Sequence, residues 1–211
     1  MIVDPWVLLA FLPAALALNL TPGADMMFCL GQGLRAGPRA AVAASGGIAL
    51  GGMCHAAVAG LGLSALIAAM PGALDVIRWI GVAYLLMLAV QALRAGPIRM
   101  ADAREVRPRV AFRAFLQGLA VNLTNPKVIL FVLAFVPQFV DPARGAVLAQ
   151  FLIYGAVLSL GGFIINGAVG VFAAGAAGRL AGNPRLARML GWISAGIFTG
   201  LALRLALMQK G

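Results

Sequence analysis

A short phrase occurs twice in this chain, each time inside a long apolar run: Asn19-Leu20-Thr21-Pro22-Gly23 and Asn122-Leu123-Thr124-Asn125-Pro126. Proline has no backbone N–H, so a proline within a helix frees the carbonyl four residues before it. In lipid that carbonyl must be satisfied again, by a side chain, a neighbouring helix or water. Both runs therefore need a protein-lined or water-lined interior at the break. Breaks at corresponding places in two halves point to a transporter built from two repeats, with its site at the breaks.

Composition says what surrounds those breaks. Hydrophobic residues make up 63% of 211 positions and charged residues only 10%. A soluble domain is roughly half apolar and a quarter charged, so the apolar surplus faces lipid. The runs are continuous and rich in Leu, Ala and Gly, the pattern of membrane helices and not of alternating barrel strands. The formal charge of +10 is no argument for nucleic acid, because the arginines gather in short connections between apolar runs. Cys29 and Cys54 lie inside apolar runs, form no CxxC and read as small core residues. Met1-Ile2-Val3-Asp4 lacks a basic stretch, so the first helix is expected to be retained and not cleaved as a signal.

Runs of about 20 apolar residues give six candidate spans, near Pro5–Leu34, Ala40–Met70, Leu74–Leu93, Phe112–Val140, Ala146–Ala177 and Leu186–Met208. The expected fold is all-α: an integral membrane protein whose first and fourth helices are broken at Pro22 and Pro126. Residues 1–94 form the first three-helix repeat, 95–111 a basic linker and 112–211 the second repeat. Connections on one side hold Arg35, Arg39, Arg94, Arg99, Arg104, Arg107, Arg109, Arg113, Arg179, Arg185 and Arg188. The other side has Arg78, Arg144, Arg204 and Lys210. By the positive-inside rule the arginine-rich side is cytoplasmic and both termini lie outside. Three spans per half turn the second half over, so the two copies of the phrase enter the membrane from opposite sides as an inverted repeat.

Three ionisable residues fall deep within the spans: Asp25, His55 and Lys127. Asp25 lies about 15 Å along a helix from Arg35, near the bilayer centre. An isolated charge there costs roughly 2.5–3.5 kcal/mol on insertion scales and is kept where it faces a cavity or a partner. Asp25 and Lys127 follow Pro22 and Pro126, which leads us to expect a contact between them. That pair reads either as substrate- and proton-responsive or as a static pair joining two broken helices. His55 is the residue type that titrates near physiological pH, and it follows Gly46, Gly47, Gly51 and Gly52. Either it carries a proton or it donates one hydrogen bond to a neighbouring backbone. No second His, Cys or carboxylate stands at ligand spacing beside it, so neither metal nor cofactor is expected.

Asn19, Thr21, Asn122, Thr124 and Asn125 add neutral donors and acceptors at the breaks, and Asn166 is a candidate lining residue in the fifth span. Exposed helix N-termini suit a carboxylate, while freed carbonyls and Asp25 suit an ammonium. The set matches a small zwitterion better than an inorganic anion or a lipid. Helix-to-helix hydrogen bonding of the amides is the plainer alternative. Gly47–Gly51 and Gly196–Gly200 form GxxxG patterns, read as close packing within or between subunits; in a chain with 27 glycines they indicate no oligomer, and a homodimer is an open alternative that does not rest on them. Trp6, Trp79, Tyr84 and Trp192 read as interfacial anchors.

Asn19-Leu20-Thr21-Pro22-Gly23-Ala24-Asp25, Ala49-Leu50-Gly51-Gly52-Met53-Cys54-His55, Trp79-Ile80-Gly81-Val82-Ala83-Tyr84-Leu85-Leu86, Asn122-Leu123-Thr124-Asn125-Pro126-Lys127 and Phe135-Val136-Pro137-Gln138-Phe139-Val140-Asp141-Pro142 together resemble the lysine exporter superfamily. The Asn-Pro-Lys and Pro-Gln-Phe phrases resemble its homoserine/threonine (RhtB-type) branch. The resemblance implies a bacterial inner-membrane exporter of amino acids coupled to the proton gradient. It places Asn19, Pro22, Gly23, Asp25, Asn122, Asn125, Pro126 and Lys127 on a central path. Members of that family often carry an acidic residue in the fifth span, where this chain offers Asn166; if that acid serves coupling, the resemblance implies that coupling here rests more heavily on Asp25 and His55 or differs in stoichiometry.

The expected activity is export of a small, neutral amino acid or analogue by proton antiport. Cationic amino acids, another small solute, or a non-transporting scaffold role are the alternatives. An enzyme is not expected, since no carboxylate pair, metal set or nucleophile with a base stands at helical spacing. A phosphate-binding loop is also lacking, so ATP drive within this chain is not expected.

Overall fold

Two kinks organise the molecule. The computed structural model describes residues 2–69, 73–94, 110–174 and 184–207. Helices α1 (Pro5–Leu20) and α2 (Ala24–Ala36) meet at 53° across Thr21-Pro22-Gly23. Helix α5 (Val110–Leu123) meets the segment Pro126–Phe139 at 52° across Thr124-Asn125. That second segment opens as α6 (Pro126–Leu130), widens into a π-helical turn (Phe131–Phe135) and tightens into a 3-10 turn (Val136–Phe139). The remaining helices are α3 (Pro38–Ala69), α4 (Ala73–Arg94), α7 (Val147–Ala173) and α8 (Pro184–Leu207). Among the described residues the structure is all-helical.

Local chemistry sets the helix ends. Asp4 caps α1 by accepting the Trp6 N–H at 2.9 Å, and Pro5 occupies the first turn, where its missing N–H costs nothing. Gly37 stops α2 at φ +83°, a left-handed conformation that favours glycine, and Pro38 then opens α3. Asn125 caps α6 by accepting the Lys127 N–H at 3.0 Å, with Pro126 as its first residue. The break at Pro126 is thus also a well-made helix start.

Within α3 the stretch Pro38–Gly62 is long and apolar enough to cross a membrane, as is α7. Each bent pair meets the same test as one interrupted span, which raises the number from two to as many as four. Helices α4 and α8 match the third and sixth expected spans and pack against each other. Large apolar side chains point outward along the bundle, among them Leu9, Val58, Leu61, Leu160, Ile164 and Phe172. Most of the 95–111 linker, with Arg179 and Lys210, lies outside the described residues.

Small residues let α3 touch α5 on one side and α7 on the other. Gly47 of α3 lies against the Phe115 carbonyl, and Gly118 of α5 lies against the Ala44 carbonyl. A methyl at either glycine would run into backbone. Along the other side Gly60 meets Phe151, Gly155 meets Ala56, Ser45 Oγ donates to the Phe163 carbonyl at 2.8 Å, and Gly170 meets Ala41. These pairings run in opposite chain directions, so α3 and α7 are antiparallel. The first GxxxG pattern is therefore internal packing: Gly51 faces Asn122 of α5 as Gly47 faces Phe115. A Cβ added at Gly196 or Gly200 of the second would meet nothing within 4 Å among the described residues.

A cluster of Phe11, Phe131, Phe135, Phe139 and Tyr154, with ring centroids 4.8–6.4 Å apart, joins α1, the π-turn and α7. It is buried on every side except at Phe139. Trp6, Trp79 and Trp192 are exposed. Tyr84 is not: it is 4% exposed, and its hydroxyl donates to the Lys127 carbonyl. Because Tyr84 sits mid-way along α4 facing the second break, its phenol finds a buried carbonyl instead of the headgroup region.

Candidate functional site

Each break exposes the carbonyl that its proline cannot bond, and each is taken by a basic side chain from the other half. Pro22 would have paired with the Leu18 carbonyl. Instead the Lys127 ammonium donates to Leu18 O at 3.0 Å and to Thr21 O at 2.9 Å. Pro126 would have paired with the Asn122 carbonyl. That oxygen lies 3.2 Å from His55 Nε2 and also accepts the Asn125 N–H at 3.0 Å. A carbonyl only accepts, so Nε2 carries the hydrogen. The sequence reading left His55 open between proton carrier and backbone donor, and the structure shows the backbone bond. Gly23 leaves the ammonium room, since a Cβ there would sit 3.1 Å from Nζ and press the lysine aside by a few tenths of an ångström.

The expected Asp25–Lys127 contact is absent as a direct ion pair. The two freed carbonyls at the first break claim the ammonium, and Asp25 turns to the second break. There its Oδ2 accepts from Asn122 Nδ2 at 2.9 Å. Asp25 is 7% exposed and Asn122 3%, so this bond joins the two halves in a place shielded from solvent. Asp25 also sits in the first turn of α2, where the helix dipole favours a negative charge.

Two adjoining cavities fill the space between the breaks. One is lined by Asn19, Asp25, Gly52, Asn122, Ser159 and Asn166, with Leu18, Ile48, Ala49, Val128, Leu158 and Gly162 completing the wall. The other is lined by Asn19, Thr21, Asp25, Met26, Lys127 and Asn166, with Leu18 and Val128. Each is small, the first with room for about one water molecule and the second for one at most.

Most of the candidate residues converge here. Asn19 donates to the Leu158 carbonyl at 3.0 Å, with its other amide atom beside Gly162. Asn166 lines both cavities. Thr21 and Asn125 support the breaks: Thr21 Oγ1 donates to Ala17 O at 2.7 Å, and Asn125 caps α6. Thr124 and Pro126 are exposed, and Thr124 Oγ1 bonds back to Ala120 O at 2.9 Å, away from the cavities. His55 lines neither cavity and reaches the site only through the Asn122 backbone.

Ser159 was missed by the sequence reading. Its signal was there: Gly155, Ser159, Gly162, Asn166 and Gly170 recur at helical spacing and form the small, polar stripe of α7 that faces the interior. Gly52 of α3 faces Ser159 and Gly51 faces Asn122, so this glycine pair makes room for both polar side chains.

Asp25 Oδ1, Asn122 Oδ1 and Ser159 Oγ, from three residues that line the first cavity, are buried with no hydrogen-bond partner among the described residues, as is Asn125 Nδ2 outside it. Each such group costs about 1–3 kcal/mol when nothing completes it, and a charged one more.

Comparison with known proteins now adds to this geometry. The family described as LysE type translocator matches residues 16–209. The chain is similar to an uncharacterized membrane protein of Vibrio cholerae serotype O1, 31% identical over 205 residues, covering 96% of this chain and 98% of that one. It is 36% identical over 147 residues to a homoserine/homoserine lactone efflux protein of Salmonella typhimurium, covering 69% of this chain and 70% of that one. It is 28% identical over 196 residues to a leucine efflux protein of an Enterobacter species, covering 93% of each. No solved structure matches the chain.

Proposed function

The chain belongs to the LysE type translocator family, a family of membrane transporters and not of enzymes, and from that premise we propose that it exports a small neutral amino acid, or a close analogue, across the bacterial inner membrane by proton antiport. The observation that carries the reading is the pair of cross-capped breaks around a small, polar-lined interior. Freed carbonyls, helix starts and a buried carboxylate are the groups that transporters use to hold charged solutes at mid-membrane.

The architecture we infer is two inverted three-helix repeats, α1–α4 and α5–α8, with each broken pair counted as one span and with both termini outside. The antiparallel pairing of α3 with α7 and the two kinks of nearly equal angle support it. The substrate's ammonium is held on the Asp25 side, and its carboxylate is held by the start of α2 and the Lys127 ammonium. Substrate enters from the cytoplasm, the halves rock, and a proton arriving on Asp25 or His55 promotes release and resets the protein. A neutral solute is favoured because a cationic side chain would have to share the interior with Lys127. The solutes named for the relatives, homoserine, homoserine lactone and leucine, are small and carry no charged side chain.

Cells making this protein, preloaded with labelled leucine and homoserine, are expected to lose at least one label faster than cells without it. The loss is also expected to slow when the proton gradient is collapsed. Equal loss with and without the protein contradicts the proposal.

A further inference from the structure

The three unpartnered atoms belong to residues that line the first cavity, and each can accept a hydrogen bond. Asp25 Oδ1 can only accept while the carboxylate is ionised. Asn122 Oδ1 also only accepts, because its Nδ2 already donates to Asp25 Oδ2 and so fixes which way the amide lies. Ser159 Oγ has lone pairs to offer as well. The residues are 7%, 3% and 8% exposed, come from α2, α5 and α7, and line one cavity. The wall thus has a surplus of acceptors, one of them charged. Lys127 does not redress this: two of its three ammonium hydrogens go to Leu18 O and Thr21 O, and it makes no hydrogen bond to any of the three atoms.

A group that completes such a wall has several hydrogens to give, a positive charge, and a size close to that of water. We propose that Asp25 Oδ1, Asn122 Oδ1 and Ser159 Oγ together receive the primary ammonium group of the transported molecule, so that the protein selects –NH3+ over N-alkylated amines. This rests on the export reading above. Three acceptors from three helices match the three hydrogens of a primary ammonium. Each N-methyl group replaces one donor with a carbon that none of the three can bond, while the charge stays. Ser159 is then a specificity residue: it contributes to the discrimination between primary and substituted amines.

The test is binding to the purified full-length protein of L-leucine, N-methyl-L-leucine and N,N,N-trimethyl-L-leucine, with L-homoserine and its N-methyl form as a second series. One N-methyl group is expected to weaken binding about 10-fold or more, the loss of one hydrogen bond to a charged group, and full methylation to abolish it. Ser159→Ala is expected to narrow the gap between leucine and N-methyl-leucine, and Ser159→Thr to keep it. A merely structural serine would weaken both ligands alike and leave the gap unchanged. Equal binding of the parent and N-methyl forms overturns the inference and leaves export standing. A gap that survives unchanged in Ser159→Ala removes Ser159 from the site. Failure of every amine to bind, with a water as the only occupant, overturns the inference. Efflux measured on the same preparation then shows whether the export reading falls with it.

Discussion

Lys127→Met is expected to lower the thermal unfolding midpoint of the purified protein by about 10 °C and to stop transport. The lysine replaces the bond that Pro22 cannot make to Leu18 O and also holds Thr21 O. Methionine has similar length but no donor, so both carbonyls are left in a nearly dry interior. Two charge-assisted bonds lost there amount to about 3 kcal/mol, and for a chain of this size each kcal/mol shifts the midpoint by about 2–4 °C. Transport fails with it because the same bonds set the angle at which α2 leaves α1. A midpoint within about 2 °C of the parent protein would mean that the break does not depend on the lysine.

Asp25→Asn is expected to separate fold from function. Asparagine keeps the shape and still offers Asn122 Nδ2 an acceptor, so the bond that joins the halves survives. The thermal midpoint should move by only a few degrees. What is lost is the negative charge and the proton-accepting group. Gradient-driven efflux is therefore expected to fall by about 100-fold or more, on the scale of losing a positioned acid–base group. Undiminished gradient-driven efflux in a correctly inserted Asp25→Asn protein would take Asp25 out of the coupling scheme.

Much of this was legible in the residues themselves. Pro22 and Pro126 mark the two kinks because each stands beside a residue that starts a new helix, Gly23 or Asn125, whereas Pro13 sits inside α1 without ending it; apolar run length locates the elements to within a few residues. Asp25, Lys127 and Asn166 were legible as interior residues because polar side chains at mid-depth have nowhere else to go. Partner choice was not legible. Asp25 and Lys127 look like a natural ion pair in sequence, but only the fold shows that the Lys127 ammonium lies beside two carbonyls with a prior claim on it. Tyr84 was misread for a related reason: aromatic anchors and buried tyrosines have the same local pattern, and the hydroxyl's partner, the Lys127 carbonyl, lies far along the chain. Ser159 escaped notice because one serine in an apolar helix says little until the glycine stripe around it is read as a face.

The most direct test of the central claim is efflux from reconstituted vesicles preloaded with a mixture of labelled amino acids, with and without an imposed pH gradient. The account predicts selective, saturable loss of a few small neutral species, accelerated when protons are supplied from the opposite side. Loss of no species above protein-free vesicles, from protein shown to be folded and inserted, would contradict it.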